Sequence, residues 1–448
     1  MSIKISLIGA GSAVFSLNII KDICLSSYLE DVTVSLMDID QKRLDAAYVL
    51  CQRYAMELGK KIVICKTSDR HESLQNADYV INTAQSQGHS RMQEGWLIAQ
   101  KYGYHFGGSL HIMHDESFWI NFYQFRLMED ILKDILDVCP HAWYILVANP
   151  ILAGLTYLKR KYPLVKILGL CQGSGAIYRI AETIGLSADN ISYEAYGVNH
   201  FIWLSKLFYK GENALPLFDR WIIEKSEKYW ETCGNNNNLG PKPLDLYRRF
   251  GMYPLGDTHS WGGGSWGYWY HTDGAVQRKW KLDDANQWKM YLNELKNQVT
   301  EIEQAAFNQS IKVTTVFPPV RSEELIIQLI EAISCDLSNV MIVNTINDGN
   351  YIPGVPVDFE VEIPAIINAR GVHGIKTAGL PKPIMSYLLA DRIAPVEMEL
   401  QAYEKKDRNL LLSLIMMDPL TQSEKQAMGL LDDILALPFN EEIRNHYI

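Results

Sequence analysis

The first 195 residues alternate short apolar runs with amphipathic stretches. Runs at 3–8, 32–37, 62–65, 79–83, 143–148 and 166–170 are bounded by turn residues and read as strands. Between them, apolar positions recur at helical spacing over 12–27, 40–58 and 118–138. This βαβ rhythm predicts an α/β fold: a Rossmann-like, mostly parallel sheet over residues 1–195, with helices on both faces. The pattern then becomes mixed. Residues 192–209 read as strand, 215–232 as helix, 234–242 as a polar loop, and 251–271 as a segment rich in glycine and aromatics. A long helix is expected at 283–308, with more at 383–417 and 422–436. Residues 196–448 are thus expected to form a mixed, helix-rich second domain for substrate and subunit contacts.

Composition narrows the class of function. Hydrophobic residues make up 48% and charged residues 21%, enough apolar side chains for a large core. A net charge of −10 argues against nucleic acid or an anionic membrane surface as partner. No apolar run approaches the roughly 20 residues of a membrane span. The first strand begins almost at Met1, which leaves no room for a signal peptide, and the seven scattered cysteines contain no CxxC pair. Both features lead to the expectation of a cytoplasmic protein with free thiols.

After the first strand comes Gly9-Ala-Gly11-Ser12, opening a predicted helix. Glycines there let the backbone approach a pyrophosphate, and the helix N-terminus offers N–H groups to it. Val14 stands where the usual fingerprint has its last glycine. The second strand ends at Asp38, a carboxylate that can bond both ribose hydroxyls and would repel a 2′-phosphate, so NAD is expected over NADP. Thr83, after the fourth strand, is expected beside the cofactor.

Cys171 and His200 each end a predicted strand. A lone buried thiol or histidine is most often structural. As a pair at the ligand-binding ends of strands they form a borderline-soft donor set for a divalent metal such as Mn, Fe, Co, Ni or Zn. Asn149, Gln172 and Arg91 are candidate substrate contacts. In the 251–271 segment, Tyr253, Asp257 and His259 are candidate acid–base groups, and Trp261, Trp266 and Trp269 a candidate sugar-stacking wall.

In order along the chain, Gly9-Ala-Gly-Ser, Asn149-Pro150, Leu170-Cys-Gln-Gly, Gly197-Val-Asn-His200, Tyr253-Pro-Leu-Gly-Asp-Thr-His259, the stretch from Val343 to Gly349, Val361-Glu-Ile-Pro364 and the stretch from Met417 to Thr421 resemble the motifs of glycoside hydrolase family 4. Within that family, Cys171-Gln-Gly and the Trp261-Gly-Gly-Gly-Ser-Trp266 loop look like the alpha-galacturonidase branch. The resemblance implies NAD and a divalent metal, typically Mn²⁺, held by Cys171 and His200. It implies C3 oxidation, C2 deprotonation, C1 elimination, water addition and C3 reduction, a departure from the two-carboxylate scheme. Asp257 matches the base, with Tyr253 its rival. Gln172 replaces the Asp or His of many relatives and cannot protonate a leaving group; His111, His114, Asp115 and Glu116 are the alternatives. A substrate carboxylate would need a cationic partner, with Arg91, Arg126, His259 and His271 as candidates. A 6-phospho-glycosidase of the same family and an NAD-dependent 2-hydroxyacid dehydrogenase are the competing readings. A homodimer or homotetramer is expected from the resemblance.

Overall fold

The computed structural model describes residues 2–171 and 173–447. Its strands are β1 (Ile3–Ile8), β2 (Val32–Met37), β3 (Val63–Thr67), β4 (Tyr79–Asn82), β5 (Trp143–Leu146), β6 (Ile167–Gly169), β7 (Ile191–Val198), β8 (Phe201–Tyr209), β9 (Glu212–Asn213), β10 (Tyr253–Pro254), β11 (Asn339–Ile346), β12 (Glu360–Asn368) and β13 (Gly371–Gly374). They form one sheet in the order β10-β8-β7-β12-β11-β6-β5-β4-β1-β2-β3, with β13 on β12 and β9 on β8. From β6 to β3 the strands are parallel, in the doubly wound order whose switch point lies between β1 and β4. Ligands bind outside the strand ends at such a point.

The apolar runs of the N-terminal part become strands because they are buried on both faces; β1 and β2 each bury five of six residues. The predicted helices are present as Ala13–Leu25, Gln41–Glu57 and Phe118–Val138. The Asp40 side chain accepts the Arg43 backbone N–H at 3.1 Å and so starts the second of them.

Three expectations change in detail. The strand read over 192–209 is a hairpin, β7 and β8, joined at Asn199-His200, with His200 at φ +61°. The helix read over 383–417 is broken into Lys382–Leu388, a wide turn at Leu389–Ile393, Ala394–Lys405 and Arg408–Met416. Pro395 lacks a backbone donor, Lys406 is left-handed at φ +58°, and Asp407 caps the next helix. Finally, β11 and β12 extend the sheet antiparallel beside β6. Their apolar pattern is interrupted by the buried polar residues Asn344, Glu360 and Glu362.

Candidate active site

Two cavities adjoin at the C-terminal ends of the parallel strands. The larger, of about 850 Å³, is lined by Gly9, Gly11, Ser12, Val14, Asp38, Thr83 and Asn149, with one face of the helix Asp284–Phe307 closing it. Gly9 has φ +90°, and a side-chain carbon there would sit 2.6 Å from the Ala84 backbone nitrogen, so only glycine fits. The Gly11 N–H donates to Asp38 Oδ2 at 2.7 Å and the Asp40 N–H to Asp38 Oδ1 at 2.8 Å, which fixes the carboxylate at the cavity edge. The Thr83 hydroxyl donates to the Ile8 carbonyl at 3.1 Å and ties the β1 and β4 ends together.

The smaller cavity, of about 400 Å³, is lined by Asp115, Asn149, Cys171, His200 and Asp257, with Trp261, Trp288 and Tyr291 as its aromatic side. It shares Phe15, Asp115, Val147, Asn149 and Tyr291 with the larger one. The Cys171 thiol lies 3.7 Å from Asp257 Oδ2, and His200 Nε2 lies 3.9 Å from the same oxygen. One ligand atom from each of these three residues falls within 4.8 Å of the others. The strands that deliver Cys171 and His200 are not neighbours, because β11 and β12 lie between β6 and β7. The chain beyond their ends brings the two together.

On the far side of its ring, His200 Nδ1 lies 2.9 Å from Glu116 Oε1, which leaves Nε2 facing Asp257. Burial opposes a charge on His200, but the partners Cys171 and Glu116 push its pKa well above the usual histidine value. Burial raises the Cys171 thiol to about 11, the Glu362 charge adding to the rise. Asp115 accepts from Asn149 Nδ2 at 3.2 Å and lies 2.8 Å from His114 Nδ1. Although burial works against ionisation, His114, His200 and the Asn149 amide hold the Asp115 carboxyl down at about 2.

Several sequence candidates stand elsewhere. Tyr253 is fully buried on β10, its hydroxyl donates to the Asn238 carbonyl, and burial pushes its pKa well up; it is not on the cavity. His259 and His271 are buried beside Lys242, and burial lowers the first to about 3 and the second well below the usual value. Neutral rings of that kind are no counter-ions for a carboxylate. Arg91 donates to Gln87 and lies over the Phe439 ring, and Arg126 pairs with Glu442; neither lines either of these two cavities. Trp266 is buried, and Trp269 and Tyr387 pack against it at the edge of the core, so of the three loop tryptophans only Trp261 lines the smaller cavity. His111 pairs with Glu399, 3.2 Å away, and Glu116 stands behind His200. His114 Nε2 donates to the Gly262 carbonyl at 2.9 Å. Gln172 lies outside the described residues.

Two groups of residues were not singled out from the sequence. Trp288 and Tyr291 come from the helix Asp284–Phe307, whose helical spacing reads as ordinary core. Glu362 is buried on β12, between the strands that lead to Cys171 and His200, and among the described residues neither of its carboxylate oxygens is hydrogen-bonded. Burial pushes it up to about 8, against the pull of His200 and with the push of Asp257. Its only signal in the sequence is the Val361-Glu-Ile-Pro364 motif.

The comparisons with known proteins agree with this geometry. The family model described as family 4 glycosyl hydrolase matches residues 4–186, and that of its C-terminal domain matches residues 195–421. The chain belongs to glycosyl hydrolase family 4. Among curated members, an alpha-galactosidase of Bacillus subtilis is 29% identical over 50% of this chain and 52% of its own length, so that match spans about half of each protein. An alpha-galacturonidase of Thermoanaerobacterium saccharolyticum is 24% identical over 97% of this chain and 95% of its own. Among solved structures, a 6-phospho-alpha-glucosidase from gut microorganisms, in complex with NAD and Mn²⁺, superposes on this family 4 hydrolase with a TM-score of 0.81. It is 18% identical over 97% of this chain and 98% of its own, a likeness of fold. Among the described residues, no helix is long and apolar enough to cross a membrane.

Proposed function

We propose that this family 4 hydrolase is an NAD- and divalent-metal-dependent alpha-glycosidase acting on alpha-galacturonides. The observation that carries the cofactor requirement is the adjacency of the two cavities, one edged by Asp38 and the other by Cys171, His200 and Asp257. The donor set suits the metal: a thiol and an imidazole converge beside the Asp257 carboxylate, and the Glu116 carboxylate lies 2.9 Å from the far ring nitrogen of His200, where metal-binding histidines carry their second partner. When bound, the cation supplies Lewis acidity toward vicinal sugar oxygens and NAD a reversible hydride acceptor.

The chain's own residues do the rest. Asp257 is the base that takes the sugar's C2 proton. Its Oδ1 accepts from the Ser260 hydroxyl at 3.1 Å, which leaves Oδ2 toward Cys171 and His200. The Asn149 amide, held by Asp115, bonds a sugar hydroxyl where the two cavities meet. Trp261, Trp288 and Tyr291 stack on the sugar and exclude water. Asp115 is ionised at neutral pH and orients Asn149 rather than protonating the leaving group.

The galacturonide reading is supported by the sequence resemblance and by the nearly full-length alpha-galacturonidase relative. A second reading, an uncharged alpha-hexoside, is favoured by one observation. Among the described residues, no Lys or Arg lines the smaller cavity. Hydrolysis of p-nitrophenyl alpha-D-galacturonide, beside the alpha-galactoside, the alpha-glucoside and a 6-phospho-glucoside, tests both. The galacturonide is expected to be cleaved with a kcat/KM at least tenfold above the others. Preference for a neutral glycoside establishes the second reading, and preference for the phosphorylated sugar overturns both.

A further inference from the structure

Lys242 is fully buried at the start of the helix Pro241–Phe250 and does not line the cavity. Its ammonium donates to the His259 carbonyl at 3.0 Å and to the Ser265 carbonyl and hydroxyl, both at 2.9 Å. These acceptors flank the tight turn Trp261–Gly263. One buried side chain therefore closes the neck of a short loop from both sides. At the loop's tip Trp261 faces the cavity, and at its entry the Ser260 hydroxyl bonds Asp257.

The same ammonium lies 3.1 Å from His271 Nε2, and His271 Nδ1 lies 3.4 Å from Asp284 Oδ2. Asp284 opens the helix that carries Trp288 and Tyr291 and covers the cofactor cavity. Burial lowers Lys242 to about 7, and a buried amine is costly unless its donors are satisfied; here the two loop carbonyls and the Ser265 hydroxyl satisfy them.

We propose that Lys242 is a positioning residue: by clamping the 259–265 loop it fixes the Asp257 carboxylate for C2 deprotonation. The proposal rests on Asp257 being the base. Misplacement of a reacting group by about 1 Å costs on the order of 100-fold in rate.

The test compares wild type, Lys242→Met and Ser260→Ala, the last removing only the Ser260–Asp257 bond. Two readouts are taken. The first is amide hydrogen exchange of the 259–271 segment in the protein without added cofactors. The second is kcat, KM and the isotope effect with C2-deuterated substrate, in the presence of NAD⁺ and Mn²⁺. Lys242→Met is expected to speed exchange in the segment roughly tenfold while β1 and β4 stay protected, since the effect is local. Its kcat is expected to fall about 100-fold with KM within threefold, and the C2 isotope effect to rise above that of wild type. Ser260→Ala is expected to raise the isotope effect with a smaller fall in kcat. Where wild type shows a C2 isotope effect, an unchanged one in Lys242→Met overturns the proposal, because a purely structural role lowers the active fraction without altering the C2 step. If Lys242→Met does not fold, an unchanged isotope effect in Ser260→Ala overturns it. A wild type that cleaves glycosides with no C2 isotope effect in any variant, and a dead Asp257→Asn, counts against the C2 chemistry and not against the clamp, whose exchange result then decides.

Discussion

Asp257 and Tyr253 sit four residues apart, yet only one of them can reach a substrate. The Asp257 carboxylate faces the thiol of Cys171 and the ring of His200, whereas the Tyr253 hydroxyl is spent on the Asn238 carbonyl in the core. Asp257→Asn is therefore expected to lower kcat on the order of 10³-fold, within the range for loss of a general base. Tyr253→Phe is expected to stay within threefold of wild type. Steady-state kinetics of both purified variants with a chromogenic glycoside checks this, and a Tyr253→Phe protein that folds but is inactive would return the base to the tyrosine. The sequence motif places both residues together because a motif records order along the chain. It carries no information about which side chain β10 turns inward.

At the scale of elements, the N-terminal half was legible because hydrophobic period and turn chemistry agree there. β1, β2 and the helix that follows each fall close to their predicted ranges. β11 and β12 were missed because Asn344, Glu360 and Glu362 place polar groups where an interior strand should be apolar. Such exceptions to patterning cluster at functional sites. Glu129 shows how the helices are joined. Its carboxylate accepts from the hydroxyls of Tyr157 at 2.7 Å and Tyr162 at 2.8 Å and lies 2.8 Å from the Lys161 ammonium. It thereby links Phe118–Val138 to Ile151–Lys161. Burial pushes Glu129 up, but Lys161, the two tyrosines and Lys133 outweigh it and hold the group at about 2, below its ordinary 4.5. A depressed carboxyl contributes stability that is complete above the unfolded value and is lost as pH falls through the folded one. Glu129→Gln is thus expected to be less stable than wild type at neutral pH, with the gap narrowing from about pH 4.5 toward pH 2. Urea unfolding at several pH values measures it, and a gap that widens on acidification would contradict the assignment.

Across the whole molecule, one sheet performs two tasks. Its parallel strands end at the cofactor cavity, and the antiparallel strands β11 and β12 continue the sheet from β6 to the β7–β8 hairpin, whose turn holds His200 beside Cys171. The helix Asp284–Phe307 spans both cavities, with Trp288 and Tyr291 over one and Leu295 to Glu303 over the other. The proposed reaction requires this contiguity, since the hydride acceptor and the metal would have to reach the same sugar ring. The motifs that name the candidate residues are local in the sequence, but their joining depends on strands that no local pattern revealed.

The most direct measurement is glycoside hydrolysis by chelator-treated protein, with NAD⁺ and Mn²⁺ supplied together, singly or not at all. The account predicts product release only when both are present, and no release from Cys171→Ser under the same conditions. Hydrolysis at the full rate without NAD⁺, or in excess chelator, would contradict it.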